Sequence, residues 1–154
     1  MKTKGKNRGF TLIEILVVLA IMGVLLAVVT PPLTNFKKRS ILNAETQEAV
    51  TLINKARMSA ISSKDDQQFG VHFESGKIVL FPGTAYVAGA GANEERIFDS
   101  AITATTTING GGSELLFAKI IGSTTQNATT TLLIVGTTSS TTILVRQSGI
   151  VTIN

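Results

Sequence analysis

The chain has 154 residues, 44% of them hydrophobic and 16% charged, with no cysteine and one histidine. Disulfide staples, thiolate metal sites and cysteine nucleophiles are therefore excluded. Lys and Arg total 14 against 10 acidic residues, yet the formal charge of +4 is local. Lys2, Lys4, Lys6 and Arg8 carry it, and residues 10–154 hold ten cations and ten carboxylates. The basic balance gives no reason to expect nucleic acid as a partner. Ahead of an apolar run, it keeps the N-terminus cytoplasmic and sends the following chain outward.

Residues 1–9 read as a basic leader. Gly9-Phe10-Thr11-Leu12-Ile13-Glu14 follows, and Ile15 to Val29 contains no charge and nothing more polar than Gly23. Phe10 to Val29 is 20 residues, about the length that crosses a bilayer as a helix, so residues 10–30 are predicted to be a transmembrane helix. A secretory signal peptide is the alternative, but the run is long for one and Val29-Thr30-Pro31-Pro32 stands where a small-residue cleavage site would be. Glu14 is the one carboxylate in the span. A charge at the centre of such a helix costs about 2.5–3.5 kcal/mol, so Glu14 needs a partner or must reach the interface.

Pro31 and Pro32 remove two backbone donors and predict a kink or break. Over residues 31–62 the pattern becomes amphipathic. Leu42, Ala49, Leu52, Ile53, Ala56, Ala60 and Ile61 recur at helical steps, and Lys37, Lys38, Arg39, Asn43, Gln47, Glu48, Asn54 and Lys55 supply the polar side. The helix is predicted to end near Ser62-Ser63. If continuous from residue 10, it would be about 78 Å long at 1.5 Å per residue.

Residues 63–154 read as a β-rich head. Phe69, Val71 and Phe73 alternate with polar or small residues, Ser75-Gly76 turns, and Ile78–Phe81 returns as a hairpin. Pro82 to Glu95 has little period and is predicted to be a long loop. Ala101–Ile108, Glu114–Ile121, Thr130–Gly136, Thr141–Gln147 and Ile150–Ile153 are further strand candidates, the last three forming an antiparallel meander. A helix followed by an antiparallel sheet makes an α+β plan. The many threonines after residue 100 suit a solvated sheet face; O-glycosylation is the alternative, and Asn127-Ala128-Thr129 fits a sequon.

No catalytic set and no metal-ligand cluster stands out. His72 lacks His or Cys neighbours in its strand, and Asp65-Asp66 and Glu94-Glu95 read as solvated loop carboxylates. Gly89-x-Gly91 lacks the rest of a phosphate loop. Lys37-Lys38-Arg39 is the one basic cluster after the leader. It suits lipid headgroups better than a DNA-tracking stripe, which would bring aromatics or a wider patch.

The N-terminus resembles those of type IV prepilins and type II secretion pseudopilins, through the basic leader, Gly9, Phe10, Glu14 and Pro31. The resemblance implies cleavage between Gly9 and Phe10 by a prepilin peptidase and N-methylation of Phe10. It also implies pairing of Glu14 with the Phe10 amine of a neighbouring subunit in the filament. The head is similar to GspH/FimT-like minor pseudopilins in Lys55–Ile61, the Phe69–Phe81 hairpin and Gly149–Ile153; the disulfide loop of many major pilins is missing. The fold implied is pilin-like: a long membrane-spanning helix, kinked at Pro31-Pro32, packed on an antiparallel β-sheet head. The function implied is a structural subunit, minor rather than major, with no enzyme activity and no cofactor. Partners would be the peptidase, other pilin or pseudopilin subunits through helix packing, the inner-membrane assembly platform and membrane lipid. The alternatives are a major pilin, or a pilin-anchored binding module such as an adhesin or DNA-uptake tip subunit. The leader would be cytoplasmic and the head extracytoplasmic.

Overall fold

The structure, a computed structural model, describes residues 9–154, apart from the side chains of residues 28–35. The leader cations Lys2, Lys4, Lys6 and Arg8 lie outside the described residues. The chain divides after Lys37 into two compact units, Met1–Lys37 and Lys38–Asn154.

In the first unit the backbone becomes helical at Leu12, and helix α1 (Leu12–Ile61) begins. From Phe10 to Leu26 every large apolar side chain is exposed, between 49% and 81%, around the whole helix surface. Among the described residues no helix is long and apolar enough to cross a membrane; the end of the expected span falls where side chains are not described. Pro31 and Pro32, where a kink or break is expected, lie within the span of α1. Two prolines cost a helix about 3 kcal/mol each.

In the second unit, α1 from Lys38 onward buries one stripe: Leu42, Ala49, Leu52, Ile53, Ala56 and Ala60. Ile61, expected on that stripe, is half-buried. Ser63, Asp65 and Asp66 then reverse the chain with φ of 47°, 53° and 58°. Short polar side chains tolerate that left-handed region, which gives the two aspartates a conformational role.

Strands β1 (Phe69–Phe73), β2 (Lys77–Pro82), β3 (Glu94–Ile97) and β5 (Glu114–Phe117) form one antiparallel sheet in the order β3-β2-β1-β5. Strands β4 (Ile102–Ile108), β6 (Ala128–Ile134), β7 (Ser140–Val145) and β8 (Val151–Ile153) form a second, in the order β4-β6-β7-β8. The expected hairpin is β1–β2, and the expected meander is β6–β7–β8. Two findings differ from the sequence reading. The head has two sheets rather than one, because β5 returns to pair with β1 instead of joining its neighbour β4. Strand β3 begins within the last two residues of the expected loop, since Glu94, Glu95 and Arg96 pair with Leu80, Val79 and Ile78.

One continuous core joins the α1 stripe to both sheets through side chains such as Phe69, Val71, Leu115, Phe117, Leu132 and Ile143. Sheet alternation also leaves an opposite face on the first sheet, where Gly70, His72, Val79, Phe81 and Glu114 are cross-strand neighbours. Gly70 is required there, because a Cβ would lie 2.5 Å from the Phe81 ring and 2.9 Å from Leu116. On the second sheet Thr103, Thr105, Thr107 and Thr129 are exposed, as threonine β propensity predicts. The Asn127 side chain accepts the Gln147 N–H at 2.8 Å, so it is engaged within the head.

Residues 38–154 expressed alone are expected to unfold cooperatively, with a melting temperature that a chelator leaves unchanged. Phe117→Ala, at a fully buried position, should lower stability by about 3–5 kcal/mol in urea titration.

Candidate functional site

The N-terminal segment is built for two kinds of chemistry. Residues 9–11 are not helical, so the Gly9–Phe10 peptide bond precedes the helix in backbone that an enzyme can engage. Thr11 then caps α1. Its Oγ1 accepts the Glu14 N–H at 3.3 Å, and its carbonyl accepts the N–H groups of Glu14 and Ile15 at 3.2 and 3.3 Å. Glu14 is the third helical residue, where a carboxylate is favoured by the positive end of the helix dipole. Thr-x-x-Glu was a legible capping signature that the sequence reading passed over. Phe10 is 81% exposed and Glu14 is exposed as well. Gly9, Phe10 and Glu14 are thus within about one turn of each other. Pro31 and Pro32 are far along the same helix and do not join them.

The head carries its charge in pairs. Glu45 sits on the apolar stripe of α1 and its side chain is 9% exposed. It accepts from Arg96 Nη2 at 3.1 and 3.3 Å and from the Asp99 N–H at 3.3 Å. Arg96 also reaches Glu48, 2.7 Å away. This cluster ties β3 to α1 and was missed in the sequence, although a Glu between Leu42 and Ala49 at stripe spacing marks an unusual position. Glu94 and Glu95, expected in a solvated loop, pair with Lys55 and Lys77. Hydrogen bonding to Glu95 raises the Lys77 ammonium above its ordinary range. Hydrogen bonding to Lys119 lowers the Asp66 carboxyl below its own. Among the described residues there is no group of three or more His, Cys, Asp or Glu placed to hold a metal ion.

Residues 4–30 match the family described as the prokaryotic N-terminal methylation motif. Over 60 residues the chain is 40% identical to the type IV major pilin protein PilA of Myxococcus xanthus, covering 39% of this chain. That match spans 27%, about a quarter, of the relative's length. The fold is similar to the type IV minor pilin FimU of Pseudomonas aeruginosa, with a TM-score of 0.59 and 15% identity over 77% of this chain and 92% of that one. It is also similar to the minor pseudopilin EpsH of the Vibrio cholerae type 2 secretion system, with a TM-score of 0.57 and 14% identity over 73% and 95% of the two chains. The N-terminal segment thus carries the methylation motif, and the fold is like that of FimU and EpsH.

Glu45→Ala should lower head stability by about 1–3 kcal/mol, because it strands a guanidinium and a backbone N–H that are partly desolvated. Asp66→Asn should remove an acid-sensitive contribution. A carboxyl held below its usual range stabilises the fold above its unfolded value, and that contribution fades as pH falls. Melting curves between neutral and acid pH check both variants.

Proposed function

We propose that this chain is a minor subunit of a type IV pilus or type II secretion pseudopilus. It is made as a prepilin, cut by a prepilin peptidase between Gly9 and Phe10, and N-methylated on Phe10. The observation that carries this reading is the N-terminal geometry. A non-helical Gly-Phe bond lies directly ahead of a Thr11-capped helix whose apolar side chains are exposed on all sides, in a chain that matches the methylation motif over residues 4–30. Before assembly those side chains would be solvated by lipid, with the leader cytoplasmic and the head outside. Afterwards they would be covered by the helices of neighbouring subunits, delivered through the inner-membrane assembly platform.

Glu14 gives this assembly its electrostatic logic. Cleavage creates an α-amino group on Phe10 that stays cationic when methylated. A carboxylate alone in hydrocarbon is costly, and a neighbour's amine at the same depth recovers part of that cost. The charge therefore favours the assembled subunit over the isolated one. Pro31 and Pro32 are where α1 would bend or loosen in the filament, since those turns lack two backbone donors.

The minor assignment draws support from the fold likeness to FimU and EpsH. A major subunit is the second reading, favoured by the 40% identity to PilA. Quantifying this chain in sheared filaments separates them, because a major subunit would dominate that fraction.

Mass spectrometry of the mature protein should find methylated Phe10 at the N-terminus; a start at Met1 or beyond Val29 overturns the processing. Gly9→Val should block cleavage by placing a branched side chain before the scissile bond. Glu14→Val should permit insertion and cleavage yet reduce incorporation into filaments. One side of a buried pair is worth about 3–5 kcal/mol, or two to three orders of magnitude in an assembly equilibrium. Glu14→Asp should be milder. Comparison of membrane and sheared fractions reads this out, and wild-type incorporation of Glu14→Val would sink the pairing mechanism.

A further inference from the structure

The first sheet's outer face holds a cluster of His72, Tyr86 and two carboxylates. The cross-strand register sets Glu95, Val79, His72 and Glu114 in one row across β3, β2, β1 and β5. His72 is 14% exposed, and its ring stacks on Tyr86 with centroids 4.0 Å apart and planes 15° from parallel. Its Nε2 lies 3.5 Å from Glu74 and its Nδ1 3.7 Å from Glu114. Nδ1 is buried and has no hydrogen-bond partner. Glu114 also accepts the Tyr86 N–H at 3.3 Å. Tyr86 belongs to the segment linking β2 to β3, and its ring packs over Phe81 at 5.8 Å. Val79 and Phe81 are 0% and 1% exposed without belonging to the main core, and the Tyr86 ring covers part of Phe81.

We propose that His72 is a proton-operated latch that fastens residues 83–93 over the outer face of the first sheet. Protonated imidazole has two N–H donors, one for each flanking carboxylate. Neutral imidazole has one, so a nitrogen lone pair must face one of the two carboxylates. The surrounding charges decide which. Lys77 Nζ lies 3.7 Å from Glu74 and 3.2 Å from Glu95, so Glu74 keeps a cation whatever the state of His72. Among the described residues Glu114 has no other cation within ion-pair distance. Loss of the proton is therefore felt at Glu114, the carboxylate that holds the Tyr86 backbone. At the base of the segment Gly83 donates to the Gln68 carbonyl at 2.7 Å, and the other hydrogen bonds of residues 84–92 run within it, from Ala90 and Asn93 to Val87 and from Asn93 to Ala90. Beyond Gly83, Tyr86 is thus its tether to the sheet. The latch is fastened where imidazole carries a proton. It loosens when the imidazole loses its proton, and it uncovers Phe81 as it does so.

The composition supplies its own probes, because the chain has one tyrosine, one histidine and no tryptophan. The full chain is studied in detergent micelles without a histidine tag. Tyr86 emission should change through a single transition that coincides with titration of the His72 ring protons in NMR. Amide exchange of residues 84–93, corrected for the intrinsic pH dependence, should be about three- to tenfold faster above that transition than below it, as expected of two partly exposed ion pairs. Emission that is flat while the His72 ring protons titrate, or a transition that survives in His72→Gln, overturns the latch. Because His72→Gln can disturb the sheet, Glu114→Gln is the second variant. It should leave His72 titrating while cutting the response of residues 84–93 by about half or more, and an undiminished response there also overturns the proposal.

Discussion

Burial of the α1 stripe from Leu42 to Ala60 is the interaction on which the head depends. With no cysteine in the chain, nothing covalent closes the unit, and apolar burial has to do so. The stripe alternates in size. Ala49, Ala56 and Ala60 bring the helix backbone close to the sheets, and Leu52 and Ile53 fill the space between. A fully buried side chain of that size contributes about 1.5–3 kcal/mol. Both sheets draw on this one stripe. That is why a head of modest length holds two four-stranded sheets rather than one wide one.

The Glu45–Arg96 contact shows what that core leaves open. Strand β3 has little to bury: its four residues are mostly exposed and three of them are charged. Pairing with β2 gives it a ladder on one side, and Arg96 anchors it to Glu45 and Glu48 on α1. Charge thus does for an edge strand what hydrophobic burial does for the others. The same charges blunt that edge against pairing with another chain.

Pattern made most of this architecture legible. The helix was visible from its apolar run and from the stripe at Leu42–Ala60, and the hairpin from Phe69, Val71 and Phe73 around Ser75-Gly76. The meander followed from short β-branched runs between turns. Elements set by partners distant in sequence were not legible. Glu94-Glu95-Arg96-Ile97 has no strand composition, and it pairs because tertiary context overrides local preference. The return of β5 to β1 is a choice among edges that no local pattern encodes. At the N-terminus, Gly9, Phe10 and Glu14 were legible as residues, and the capping role of Thr11 was present in the spacing. His72 gave no signal as a latch, since Tyr86 and Glu114 come from separate segments and only the folded register brings them together.

The two parts of the chain answer to different constraints, and the comparisons reflect this. In the N-terminal segment single positions carry the chemistry. Thr11 caps the helix, and Glu14 stands within its first turn. A short motif match over residues 4–30 is the expected trace of such a segment. The head answers to pattern and volume, because many apolar combinations fill one core equally well. Identity to FimU and EpsH can therefore fall to 15% and 14% while the fold persists. It follows that what distinguishes this subunit from others bearing the same N-terminal segment lies on the head surface. Edge charges, the threonine face and the segment over Phe81 can all change there without disturbing the core.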